Sequence, residues 1–110
     1  MDKSDFYRNV QVINVEWWLS WCHEYPDLFW ARLRVFSDGK ADVSFQDENK
    51  NYGFNSEEFA GRFLNEDEFS LFENMDEEDM KDLETPLDVE IEKPNWAEKS
   101  FEEFIYIGDY

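Results

Sequence analysis

The segment "LFWARLRVFSDGKADVSF", residues 28–45, leaves the chain few options. Phe29, Ala31, Leu33 and Val35 alternate with Trp30, Arg32 and Arg34, which is the two-residue period of a strand. Asp38-Gly39 supplies the positive-φ positions of a tight turn, and Ala41, Val43 and Phe45 then resume the alternation. A β-hairpin is expected, with Phe29, Ala31, Leu33, Val35, Ala41, Val43 and Phe45 inward and Trp30, Arg32 and Arg34 outward. An isolated hairpin is at best marginally stable in water, so the flanking chain must extend it into a sheet.

Upstream, "INVEWWLSW" puts Ile13, Val15, Trp17, Leu19 and Trp21 on one face of a strand, with Asn14, Glu16, Trp18 and Ser20 on the other. Val15, Trp18, Leu19 and Cys22 also keep helical spacing. The β-branched and aromatic content favours the strand. Tyr25-Pro26-Asp27 marks a turn, and after the polar "QDENKN" a short strand is expected at residues 52–54.

The period then becomes helical. Ser56, or Asn55 with Glu58, opens "SEEFAGRFL", in which Phe59, Phe63 and Leu64 share a face. Asp67 and Glu68 read as the start of a second helix carrying Phe69, Phe72 and Met75. Asp76, with Asp79 three residues on, caps a third turn through Met80 and Leu83. Thr85-Pro86 closes this region. "LDVEIE" alternates once more, with Asp88, Glu90 and Glu92 on one side, before Pro94 interrupts it. "FIYIGDY" ends the chain as an apolar strand or a docked tail.

The expected class is α+β. An antiparallel meander of three to four strands leads to two to three short helices packed on one face, and one or two C-terminal strands follow. Residues 1–110 fit a single domain, mainly β over 1–55, mainly α over 56–84, and mixed strand and tail over 85–110.

Charge is the second constraint. The chain holds 28 acids against ten lysines and arginines, a net charge of −18. Residues 1–55 carry nine acids and six bases, whereas residues 56–110 carry nineteen and four. Thirteen acids and a single lysine fall within residues 66–92. Aromatics at 19% of the chain argue against disorder, which requires low hydrophobicity beside high net charge. Such acidity opposes direct contact with nucleic acid or an anionic membrane. One cysteine, Cys22, excludes an internal disulfide framework. With no basic-then-apolar N-terminal run, the chain reads as cytoplasmic.

Catalytic signatures are weak. Cys22 and His23 are adjacent, so their side chains diverge on either a strand or a helix, and a buried structural cysteine beside a surface histidine is expected. Asp47, Asn49, Asn51, Asn55 and Glu58 occupy ligand positions of a calcium loop, but its sixth-place glycine is Tyr52. A polar loop, strand and helix cap explain those residues better. Scattered glycines make no phosphate loop, and carboxylate pairs among so many acids carry no information. No enzyme activity and no cofactor are expected.

The acids themselves point to a partner. Glu66, Asp67, Glu68, Asp76, Glu77, Glu78, Asp79 and Asp82, brought to one surface, would attract a basic protein. Trp18 and Trp30, if outward, would add aromatic anchors. The expected function is a non-enzymatic binding module, of an inhibitor or immunity type or mimicking nucleic acid. Salt adaptation or divalent-cation binding would account for the same acidity, although salt adaptation predicts an even spread of charge.

Overall fold

The structure is a computed structural model describing residues 1–110. It is α+β, built on one six-stranded mixed sheet. Strands β1 (Val12–Ser20), β2 (Trp30–Phe36), β3 (Ala41–Phe45) and β4 (Lys50–Phe54) form the antiparallel meander. A four-residue helix, α1 (Lys3–Phe6), precedes it, and α2 (Glu57–Glu66) follows. Strand β5 (Phe69–Leu71) returns to the outer side of β1; a 3₁₀ turn (Phe72–Asn74) and α3 (Glu77–Asp82) come next. After twenty residues without regular structure, β6 (Glu103–Gly108) pairs parallel to β4. The strand order is β5-β1-β2-β3-β4-β6.

Both faces of this sheet are covered. On one, Trp18, Leu33, Val43, Phe45 and Phe54 pack beneath Ala60 and Leu64 of α2 and beside Phe69. The Ser56 hydroxyl accepts from the Phe59 backbone N–H at 3.2 Å and so caps α2. On the other face, Leu19 and Trp30 meet Leu83, with Phe72, Met75, Met80, Ile91 and Trp96 around them. The helices therefore lie on both faces, not on one. The main core also lies on the Trp18 side of β1, while Ile13 on the expected inward side is 65% exposed.

Two further expectations are corrected. No helix starts at Asp67: that residue is the C-cap of α2, and Glu68 adopts φ 62°, a left-handed conformation that ends the helix. Phe69 and Leu71 then alternate as the short strand β5, whose Phe69 packs in the main core. "LDVEIE" is not a strand either. Pro86 and Pro94 bracket it and withhold ladder donors, so it crosses the second face as an irregular strap with Ile91 turned inward.

Covering both faces buries the polar positions of the hairpin. All five residues of β3 are buried, including Asp42 and Ser44. Register places Arg34 opposite Asp42 and Arg32 opposite Ser44. Arg34 donates to Asp42 from Nε at 2.9 Å and from a terminal nitrogen at 2.5 Å. The Tyr7 hydroxyl, brought in behind α1, donates to the same carboxylate at 2.7 Å. Ser44 donates to Asn51 on β4 at 2.5 Å. Burial would lower the Arg34 pKa, but the Asp42 hydrogen bonds and charge outweigh it and raise it. Burial, and then Asp42, pushes the Tyr7 phenol far above its ordinary range. Gly53 completes the arrangement, because a Cβ there would meet the Phe104 ring at 2.6 Å and Phe6 at 2.9 Å.

Removing one partner of a buried pair strands the other, at a cost of about 3–5 kcal/mol. Arg34→Met should lower unfolding free energy by that amount in a urea titration. Arg8→Ala, which breaks the exposed Arg8–Asp5 pair, should cost under about 1 kcal/mol.

Candidate functional site

The acids of residues 66–92 divide between the two faces of the sheet: Glu66 and Asp67, at the end of α2, line a depression with Phe45, Tyr52 and Tyr110, whereas those of α3 and the strap belong to the opposite face. Glu66, Asp67 and Glu68 form the end of α2 and the link to β5. Glu66 accepts from the Tyr110 hydroxyl, and Glu68 from the Cys22 thiol at 2.9 Å. Asp76 and Asp79 form a reciprocal capping box on α3, with N–H to carboxylate distances of 2.9 and 3.0 Å. Glu77, Glu78 and Asp79 fill its first turn, where the helix dipole favours negative charge. Of the eight candidate acids, Asp79 is half-buried and the others are exposed.

Little neutralises them. Arg34 is committed to Asp42, and Arg32 reaches no carboxylate. Within residues 66–92 the one ion pair is Glu73 with Lys93, at 3.2 Å. The remaining pairs, at Asp5, Asp38, Glu48 and Glu58, lie outside that segment. Asp67, Asp76, Glu77, Glu78, Asp79 and Asp82 thus form no ion pair and, with one half-buried exception, face solvent.

The aromatic anchors expected beside them are corrected. Trp18 and Trp30 are each only 7% exposed, and they point to opposite faces of the sheet. Cross-strand pairing sets Trp18 against Ala31 and Leu19 against Trp30, so the two tryptophans belong to different cores. Arg32 is likewise covered, its guanidinium 5.0 Å from the Phe101 ring and 5.7 Å from Trp96. Its Nε has no partner. Burial, with Arg34 alongside, lowers its pKa to about 10.

An open groove in this region, not anticipated from the sequence, has a volume of about 880 Å³. One wall is Phe72, Met75 and Met80, and the other is Val89 and Ile91 of the strap, with Leu87 at the margin. Glu73, Asp76, Glu77, Glu90 and Glu92 line it as well. The alternation of "LDVEIE" was the available signal: Val89 and Ile91 of its apolar side are half-buried at the groove, Leu87 is exposed, and Glu90 and Glu92 follow the rim.

The other candidates separate. Asn49 accepts from the Glu102 backbone, Asn51 is held by Ser44 inside the sheet, and Asn55 bonds Asp109 and Tyr106. Glu58 pairs with Arg62 at 3.0 Å, so four of the five would-be calcium ligands are engaged elsewhere. Cys22 is exposed, contrary to expectation, because it lies past the end of β1 in a surface turn. The hydrogen bond to Glu68 raises its pKa, which opposes thiolate formation. His23 stacks on Phe29 at 4.8 Å.

Glu16 is the one carboxylate pushed upward. It lies beside Glu57 in a shallow depression and accepts from the Trp18 indole at 3.3 Å. Burial first, then the Glu57 charge, raises its pKa above the ordinary 4.5.

No helix is long and apolar enough to cross a membrane. No family model, curated protein or solved structure matches the chain.

The raised Glu16 pKa fixes a sign. Folded chain holds a proton that unfolded chain releases, so this group's stabilising contribution is full below about 4.5 and is lost as pH rises through the folded value. Glu16→Gln should therefore melt higher than wild type at pH 7. That difference should shrink toward zero as melts are repeated down through the carboxylate range.

Proposed function

We propose that this chain is a non-enzymatic protein-binding module whose acidic surface engages a basic partner. The observation carrying this reading is the set of carboxylates from the end of α2 through α3 that form no ion pair, Glu73 alone excepted, and that are exposed apart from half-buried Asp79, while the arginines of β2 serve the interior. Duplex DNA presents about one negative charge per 1.7 Å of axis, and a nucleic-acid-binding protein is adapted to such a density. An inhibitor or immunity-type protein that mimics nucleic acid would exploit it.

Electrostatics favours binding over acid–base chemistry. Two carboxylates acting as acid and base need burial to separate their pKa values, whereas nearly all of these acids face solvent. Exposed acids act at longer range: complementary fields raise association rates by roughly 10- to 10³-fold and disfavour like-charged partners. Salt adaptation fits less well, since the charge is concentrated in the second half of the chain.

Location, not total charge, is the discriminating variable. Glu77→Lys with Glu78→Lys changes net charge by the same amount as Glu102→Lys with Glu103→Lys, at the start of the opposite edge strand. With the basic protein captured from the source cells, the first pair should slow association at least about tenfold and flatten its salt dependence. The second pair should change it far less. Equal effects from both pairs would reject a localised surface.

A further inference from the structure

The groove on the acidic flank defines what part of a partner it can take. We infer that it seats a cationic amphipathic helix, apolar face against Met75, Met80, Val89 and Ile91, with lysines or arginines directed to the acidic rim. This rests on the acidic-surface reading above and adds the shape of the ligand to it.

Four observations lead to this occupant. The groove brings together segments 72–80 and 85–93, so its apolar walls come from two parts of the chain. Its two methionines provide flexible, polarisable surface suited to varied helical side chains. The rim has one cation, Lys93, already paired with Glu73 at 3.2 Å, so Asp76, Glu77, Glu90 and Glu92 remain free of ion pairs. Thr85, also among the lining residues, is 7% exposed, and its hydroxyl has no hydrogen-bond partner inside the protein. An unsatisfied buried hydroxyl is uncommon in a completed structure. Its oxygen is enclosed in the free protein, so a bound chain would reach it only if the strap shifted on binding.

Competing occupants fit worse. A second copy of this chain would carry another −18 into an anionic rim. An extended peptide adds to a free sheet edge, and no strand residue lines this groove. A helix about 10–12 Å across needs only a trough with apolar walls, which it fills with side chains at i, i+3, i+4 and i+7.

The test uses the full chain and labelled peptides of lysine and leucine, roughly four helical turns long. One peptide gathers leucine on a single helical face, a second scrambles the same composition, and a third replaces every lysine with glutamine. Binding is read by fluorescence anisotropy at low and high salt. The amphipathic cationic peptide should bind at least about tenfold tighter than the scramble. Leu87→Ser should weaken it severalfold, and because Leu87 is 76% exposed the fold is not at risk. Backbone amide NMR shifts should concentrate in residues 72–93.

Equal binding of amphipathic and scrambled peptides would overturn the groove and leave the acidic surface standing. Failure of every cationic peptide at low salt would overturn both. Equal binding of the glutamine peptide would show an apolar site without charge selection and reject a cationic ligand. Wild-type affinity in Leu87→Ser, with shifts outside residues 72–93, would place binding elsewhere and reject the groove.

Discussion

The Asp42 carboxylate, at zero exposure in the middle of the sheet, is the constraint around which the rest is arranged. A lone ionised carboxylate there would be prohibitively costly. Arg34 reaches it from the next strand through two nitrogens, and Tyr7 from behind α1. These contacts join β2, β3 and the N-terminal segment into one unit, so the second face of the sheet cannot be left open. The covers are α1 at the Asp42 end and, toward β1, α3 with the strap over residues 85–101. The strap passes over Arg32 with Trp96 and Phe101, whose rings partly replace a counter-ion.

That covering separates two kinds of charge. Interior cations are held by Asp42 or by aromatic rings, while the acids that follow α2 stay at the surface. With Arg32 and Arg34 enclosed, few cations remain to neutralise residues 66–92. Acidity there follows from how the sheet is covered as well as from composition.

Legibility from the sequence tracked the range of the interactions. The hairpin through Asp38-Gly39, the helix cap at Asn55 or Ser56 and the Asp76–Asp79 capping box are set by residues within a few positions of each other, and all three occur, with Ser56 as the cap and only Gly39 of the turn at positive φ. The class, α+β with a four-stranded antiparallel meander, follows from those periods. Strand β5 was not legible, because Phe69 keeps helical spacing with Phe72 and Met75. Only pairing with Ser20 and Trp18 selects the extended form. Alternation also identified which residues share a face without telling how many faces are buried. Alternation alone therefore makes Trp18 and Trp30 candidate surface anchors, although each is core on its own side. Among the site residues, the acids were legible because charge cannot be buried unpaired at that density. The groove was not, since its walls meet only when the strap folds back on α3.

Self-repulsion among these acids remains to be balanced. Local geometry relieves part of it: Asp76 and Asp79 satisfy amide donors at the start of α3, Glu77 and Glu78 lie at the positive end of its dipole, and Glu66 and Glu68 accept side-chain hydrogen bonds. Each such contact is worth about 1 kcal/mol or less. Asp82, Glu90 and Glu92 make no ion pair or side-chain hydrogen bond, and Glu90 and Glu92 border the groove. A cationic ligand would relieve repulsion most where the chain itself does least. The geometry of the free protein thus distinguishes acids that hold the fold from acids that make no contact of this kind within it.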